Sequence, residues 1–91
     1  MLFMVIEHFK GGDPKIVRER FERAGRMQPA GVEYIASWID AANGRCFQVM
    51  EAPDRAALDP WMEKWADLME CEGSAVVGSK EYWAGVSARE T

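Results

Sequence analysis

Histidine, asparagine and cysteine are scarce in this chain of 91 residues, and their scarcity removes whole classes of chemistry. His8 is the only histidine, so no multi-histidine metal site can form, and there is no HExxH motif. Cys46 and Cys71 stand far apart, without a CxxC pair or metal-ligand spacing. They are expected to be two reduced thiols of a cytoplasmic protein. No metal and no other cofactor is expected. Basic residues are outnumbered, 11 Lys and Arg against 15 Asp and Glu, for a net charge of −4. That balance argues against nucleic acid and anionic membranes as partners, because both need a basic face. Long hydrophobic runs are missing too: nothing approaches the ~20 apolar residues of a membrane span. The apolar start lacks a basic n-region and meets Glu7-His8 at once, so no secretory signal is expected. Internal repeats and low-complexity stretches are absent.

What the chain does have is bulk and pattern. Four Trp and four Phe supply core or pocket material, and a mass of 10.3 kDa allows one core only. The expected organisation is a single domain over 1–84 and a polar tail over 85–91. Leu2 to Ile6 is an uninterrupted apolar run, continued by Glu7, His8 and Phe9. A strand with one wet face alternates, so this run implies a strand buried on both faces. Gly11-Gly12 break it, and Asp13-Pro14 form a helix start, with an N-cap followed by proline at the first helical position. Ile16, Val17, Phe21, Ala24 and Met27 make the apolar stripe of that helix, and its charged residues read as a solvated face. Val32 to Ala41 and Arg45 to Ala52 read as strands of a hairpin turned at Asn43-Gly44. A helical turn over Arg55 to Leu58 precedes a fresh helix start at Asp59-Pro60. Leu58, Trp61, Met62, Trp65, Leu68 and Met69 form the second apolar stripe, and a last strand is centred on Ala75, Val76 and Val77.

The order is β-α-β-β-α-β. With right-handed crossovers it gives an α+β, ferredoxin-like fold: a four-stranded antiparallel sheet with two helices on one face and the first strand in the middle. Two helices cover one face only, so the other is expected to meet a second copy of the chain, a ligand, or both. The aliphatic set Met4, Ile6, Ile35, Ile39, Cys46 and Met50 suits the helix side. The set Phe3, Val5, Glu7, Phe9, Tyr34, Trp38, Phe47, Val49 and Glu51 mixes aromatics with carboxylates and suits an open face lining a cavity or interface.

The segments Met1–Phe9, Ser37–Asp40 with Cys46–Glu51, and Trp61–Leu68 resemble a bacterial family of short ferredoxin-like proteins catalogued only as a domain of unknown function. That family is similar in layout to the dimeric α/β-barrel proteins, in which two such sheets face each other. The resemblance implies a homodimer, in a superfamily that includes cofactor-free monooxygenases, small isomerases, haem-handling enzymes and stress-related binding proteins. Haem-degrading relatives use an Asn, a Trp and a His. The single Asn43 here is explained by its turn, so haem chemistry is not implied.

Among individual residues, His8 is the candidate catalytic base, set against a hydrogen-bonded histidine near the end of a central strand. Glu7 and Glu51 are candidates to orient a ligand, or to form ion pairs with Arg45 or Lys80. Tyr34, Trp38 and Phe47 could stack on a flat molecule or pack an interface, and Gln48 could position a substrate. Trp61 and Trp65, at i and i+4, read as core packing. Gly11-Gly12 is not a phosphate loop, since the glycine motif is missing and Asp13 would repel the anion. The expected function is binding of a small apolar or aromatic molecule in a sheet or dimer cavity. Cofactor-independent oxygenation or isomerisation with His8 as base, and a purely structural association module, are the alternatives.

Overall fold

Strand β1 (Leu2–Phe9) pairs along both edges in the computed structural model, which describes residues 1–90. It lies antiparallel to β3 (Arg45–Glu51) on one side and to β4 (Met69–Val76) on the other, and β2 (Glu33–Asp40) pairs with β3 outside it. The sheet order β2-β3-β1-β4 is the ferredoxin-like order, and β1 occupies a central place. Among the described residues three α-helices accompany the sheet: α1 (Pro14–Ala24), α2 (Asp59–Trp65) and α3 (Ser79–Glu90). No helix among the described residues is long and apolar enough to cross a membrane.

The local signals act as their chemistry requires. Asp13 Oδ1 accepts a hydrogen bond from the Lys15 amide at 2.9 Å, capping α1 behind Pro14. Gly25, at φ +70°, closes the helix by donating its N–H to Phe21 O. Asp54 caps a 3-10 turn over Arg55–Leu58, and α2 begins afresh at Asp59. The β2–β3 hairpin turns through Ala41 to Gly44, with Gly44 at φ +62°. Asp40 and Arg45 pair across its base at 2.8 Å.

Register decides the faces, and here the structure corrects the sequence. Phe3 stands opposite Met50, Val5 opposite Gln48 and Glu7 opposite Cys46. Phe3, Val5, Glu7 and Phe9 therefore lie on the buried side, under α1 and α2, and the expected assignment of Met4 and Ile6 to that side is reversed. The physical reason is the period of two: with no hairpin turn linking β1 to β3, one residue of slip exchanges every side chain. β1 in fact alternates buried and half-buried, so the apolar run is covered on one face within the chain. A register shift between Tyr34 and Ala36 moves Tyr34 to the helix side, opposite Met50, whereas Trp38 stays on the bare face beside Phe47.

Two further expectations concern the C-terminal end. α2 stops at Trp65, and β4 begins at Met69, buried opposite Phe9. The apolar Leu68-Met69 pair fits a helix stripe and a strand equally well, and pairing with β1 decides. Of the expected polar tail, residues 85–90 belong to α3, which also takes in Tyr82 and Trp83, and residue 91 lies outside the described residues.

Under the helices Phe3, Val5, Met50, Leu58 and Trp61 are fully buried. The loop after α1 is fastened from below. The indole N–H groups of Trp61 and Trp65 both donate to the Arg26 carbonyl, at 2.9 and 3.0 Å. Arg20 grips Asp67 with two bonds of 2.6 Å, joining α1 to the turn after α2. Either indole alone satisfies the Arg26 carbonyl, so Trp61→Phe and Trp65→Phe together should cost more than the two separately. A double-mutant cycle by urea unfolding should show coupling of about 1 kcal/mol or more. Strict additivity would mean that the shared acceptor contributes nothing.

Candidate functional site

Glu7 is the one carboxylate in the buried series Phe3, Val5, Glu7, Phe9, and it is only 7% exposed. Its strand neighbours are both cysteines, Cys46 on β3 and Cys71 on β4. Burial raises the Glu7 pKa above its ordinary value, opposed by a hydrogen bond with Cys46 and by the charge of Arg26. Burial, with Glu7 adding its charge, pushes both thiols up to about 12. Both cysteines are free and protonated at neutral pH, which removes them as nucleophiles. They are two strand spacings apart, ~9.5 Å, too far for a disulfide.

α1 rides above this floor without closing on it. Val17 is half-buried, but Ile16 and Phe21 remain largely exposed. The space left is a cavity of about 460 Å³ between sheet, α1 and α2. Its apolar walls include Phe9, Val17, Phe21, Ile39, Trp61 and Trp65. Its polar groups are Glu7, Gln48, Ser37, Cys46 and Arg26, with Lys15 and Arg18 from α1. Gln48 is 3% exposed and held at both ends, its Oε1 accepting from Arg26 Nε at 3.4 Å and its Nε2 donating to Met50 Sδ at 3.3 Å. The Arg26 guanidinium lies over the Tyr34 ring, 3.6 Å from its centroid, and 5.1 Å from that of Phe21. Such a site can hold a mostly apolar molecule by one polar end, and it presents a desolvated carboxyl able to accept or give a proton. Among the described residues no group of three or more His, Cys, Asp or Glu side chains could hold a metal ion.

The candidates from sequence divide between the two faces. Glu7 and Gln48 meet in the cavity, and Tyr34 stands at its edge beneath Arg26, its hydroxyl 2.8 Å from Ser37 Oγ. His8, Trp38, Phe47 and Glu51 lie on the bare face. His8 stands opposite Arg45, half-buried, with Nε2 3.4 Å from Glu72 Oε1, and does not line the cavity. Glu51 pairs with the α-amino group of Met1 at 2.7 Å, while Arg45 takes Asp40 and covers the Phe47 ring. Sequence reasoning missed Arg26, which reads as one more surface charge near the end of a basic helix. It also placed Trp61 and Trp65 in the core without the cavity that they border. One signal was available: a lone Glu in phase with Phe3, Val5 and Phe9.

A family model described as domain of unknown function (DUF3303) matches residues 1–90. No curated protein and no solved structure matches the chain.

The raised Glu7 pKa has a signed consequence. Between the ordinary and raised values the folded state binds more protons than the unfolded one, so this group favours folding at low pH. That contribution is complete below the unfolded value and is lost as pH rises through the folded value. Glu7→Gln lacks it. Urea unfolding at several pH values should show wild type losing stability relative to Glu7→Gln as pH rises from about 4 to 8. A pH-independent difference would mean that the carboxyl is as well solvated folded as unfolded.

Proposed function

The chain belongs to the DUF3303 family, and we propose that it is a cytoplasmic homodimer of the dimeric α/β-barrel kind that binds a small, largely apolar molecule. The observation that carries the binding reading is the cavity over Glu7 and Gln48. Its volume of about 460 Å³ lies within the ~300–1,000 Å³ typical of small-molecule sites, and apolar walls with a few converging polar groups are their usual make-up. The ligand would then sit between sheet and helices, on the opposite side from the dimer contact. Support for the dimer comes from the bare face, where Leu2, Met4, Ile6, Trp38, Phe47 and Val49 lie together and Trp38 is 58% exposed. Monomers rarely leave a large apolar patch uncovered. α3 adds to it: a helix of 12 residues is marginal in isolation, and Tyr82 and Trp83 are exposed on it. The cytoplasmic assignment rests on two free thiols that the sheet keeps apart.

A second reading, cofactor-independent isomerisation, is favoured by the desolvated Glu7 carboxyl facing the cavity. Glu7 would replace His8 as the base, because a base needs to reach the bound molecule and His8 faces away. A role in association alone leaves the cavity without a purpose.

Light scattering at micromolar concentration should give about twice the 10.3 kDa chain mass. Trp38→Glu should move it to monomer while retaining secondary structure, because pairing would bury an uncompensated charge. A folded wild-type monomer refutes the dimer. The neutral dye N-phenyl-1-naphthylamine should bind with a rise in fluorescence. Val17→Trp, which fills the cavity from α1, should weaken that binding about tenfold or more. Unchanged affinity in a folded variant would place the dye, and the proposed site, elsewhere.

A further inference from the structure

Arg26 is a half-buried guanidinium that no carboxylate of a described residue approaches within ion-pair distance. Arg18, Arg20, Arg45 and Arg55 each hold an acid, Glu22, Asp67, Asp40 and Asp59, at 2.6 to 2.9 Å. Arg26 spends only its Nε, on the long bond to Gln48. Its terminal nitrogens bond no described residue, and it lines the cavity. The position is also rigid. The carbonyl of the same residue is held by two indoles, Gly25 and Met27 on either side are at φ +70° and +61°, and the Tyr34 ring supports the guanidinium plane. An arginine so placed offers a planar pair of N–H donors to a carboxylate-like group, with the geometry already set.

We propose that the cavity selects an organic anion: an aromatic or branched apolar body carrying one carboxylate- or sulfonate-like group, whose charge pairs with Arg26. This rests on the cavity being a binding site and adds the class of its ligand. The apolar body lies against Phe9, Val17, Ile39 and Trp65, and Lys15 and Arg18 on α1 add positive potential around the cavity. Arg18 is already neutralised by Glu22, so Arg26 and Lys15 carry the attraction. Glu7 opposes it when ionised. The groups facing Glu7 are Cys46 and Cys71 on the adjacent strands, Arg26 in the loop, and Lys15 and Arg18 on α1; α2 brings only Trp61 and Trp65 to the cavity. An entering anion therefore favours the protonated carboxyl, which then donates a hydrogen bond in place of repelling the charge.

Two dyes with nearly the same apolar body separate the terms: 1-anilinonaphthalene-8-sulfonate, an anion, and the neutral N-phenyl-1-naphthylamine. Fluorescence titration of the full chain should show the anion binding about tenfold tighter or more. Arg26→Gln should remove that preference and leave the neutral dye within about twofold. Arg26→Lys, which keeps the charge, should retain part of it and serves as the second variant if Arg26→Gln does not fold. Equal affinities in wild type, or an equal loss of both dyes in Arg26→Gln, overturn the anion assignment and leave cavity binding intact. If neither dye binds, or if Val17→Trp leaves both titrations unchanged, the cavity reading falls and takes this inference with it.

Discussion

The Arg26 carbonyl, accepting from two tryptophans at once, is the contact on which the helical layer depends. α1 has no tight seat on the sheet, and its apolar residues Ile16 and Phe21 remain largely exposed. What keeps it in place is its C-terminal half: the bidentate Arg20–Asp67 pair and the loop that Trp61 and Trp65 hold through Arg26. Pinning the backbone of Arg26 puts Met27 in the left-handed region, a cost for a residue other than glycine. The same pinning aims the guanidinium at the cavity, between the Tyr34 and Phe21 rings. A helix tethered along one half can stand off the sheet along the rest, and that opening is the cavity.

Glu7 is the second organising choice. A carboxylate in the series Phe3, Val5, Phe9 costs free energy that an apolar side chain would not. The protein offsets part of this with the Cys46 thiol and the Arg26 charge and leaves the rest as a raised pKa. Those two residues and Gln48 all face the cavity, so the polar groups inside the fold are gathered at one place. A core selected for stability alone would have no such cluster. A site that must recognise a polar end within an apolar chamber needs one.

The two faces of the sheet differ in make-up. Glu7, Cys46 and Gln48 look toward the helices and the cavity, whereas Met4, Ile6, Trp38, Phe47 and Val49 look outward from the same strands. Both faces share the backbones of β1 and β3, so a change of register in either strand would exchange both sets of side chains at once.

The elements as far as α2, the α+β class and the central place of β1 were legible in the residues alone, because these rest on local chemistry. Asp13-Pro14 and Asp59-Pro60 start helices, and Gly44 supplies the positive φ of the hairpin turn. The relative faces of β2 and β3 followed too, since a tight turn joins them; only Tyr34 and Ile35, at the register shift, escaped. The phase of β1 against β3 came from the assembled sheet alone. That pairing joins strands distant in the chain with no turn to set it, and β1 is apolar on both faces, so hydrophobicity cannot choose between two registers that exchange every side chain. With the phase went Glu7 and His8, one into the cavity and the other out of it. The placement of Arg26 was likewise beyond the sequence, because only the fold brings it to the cavity while no described carboxylate comes within ion-pair distance of it.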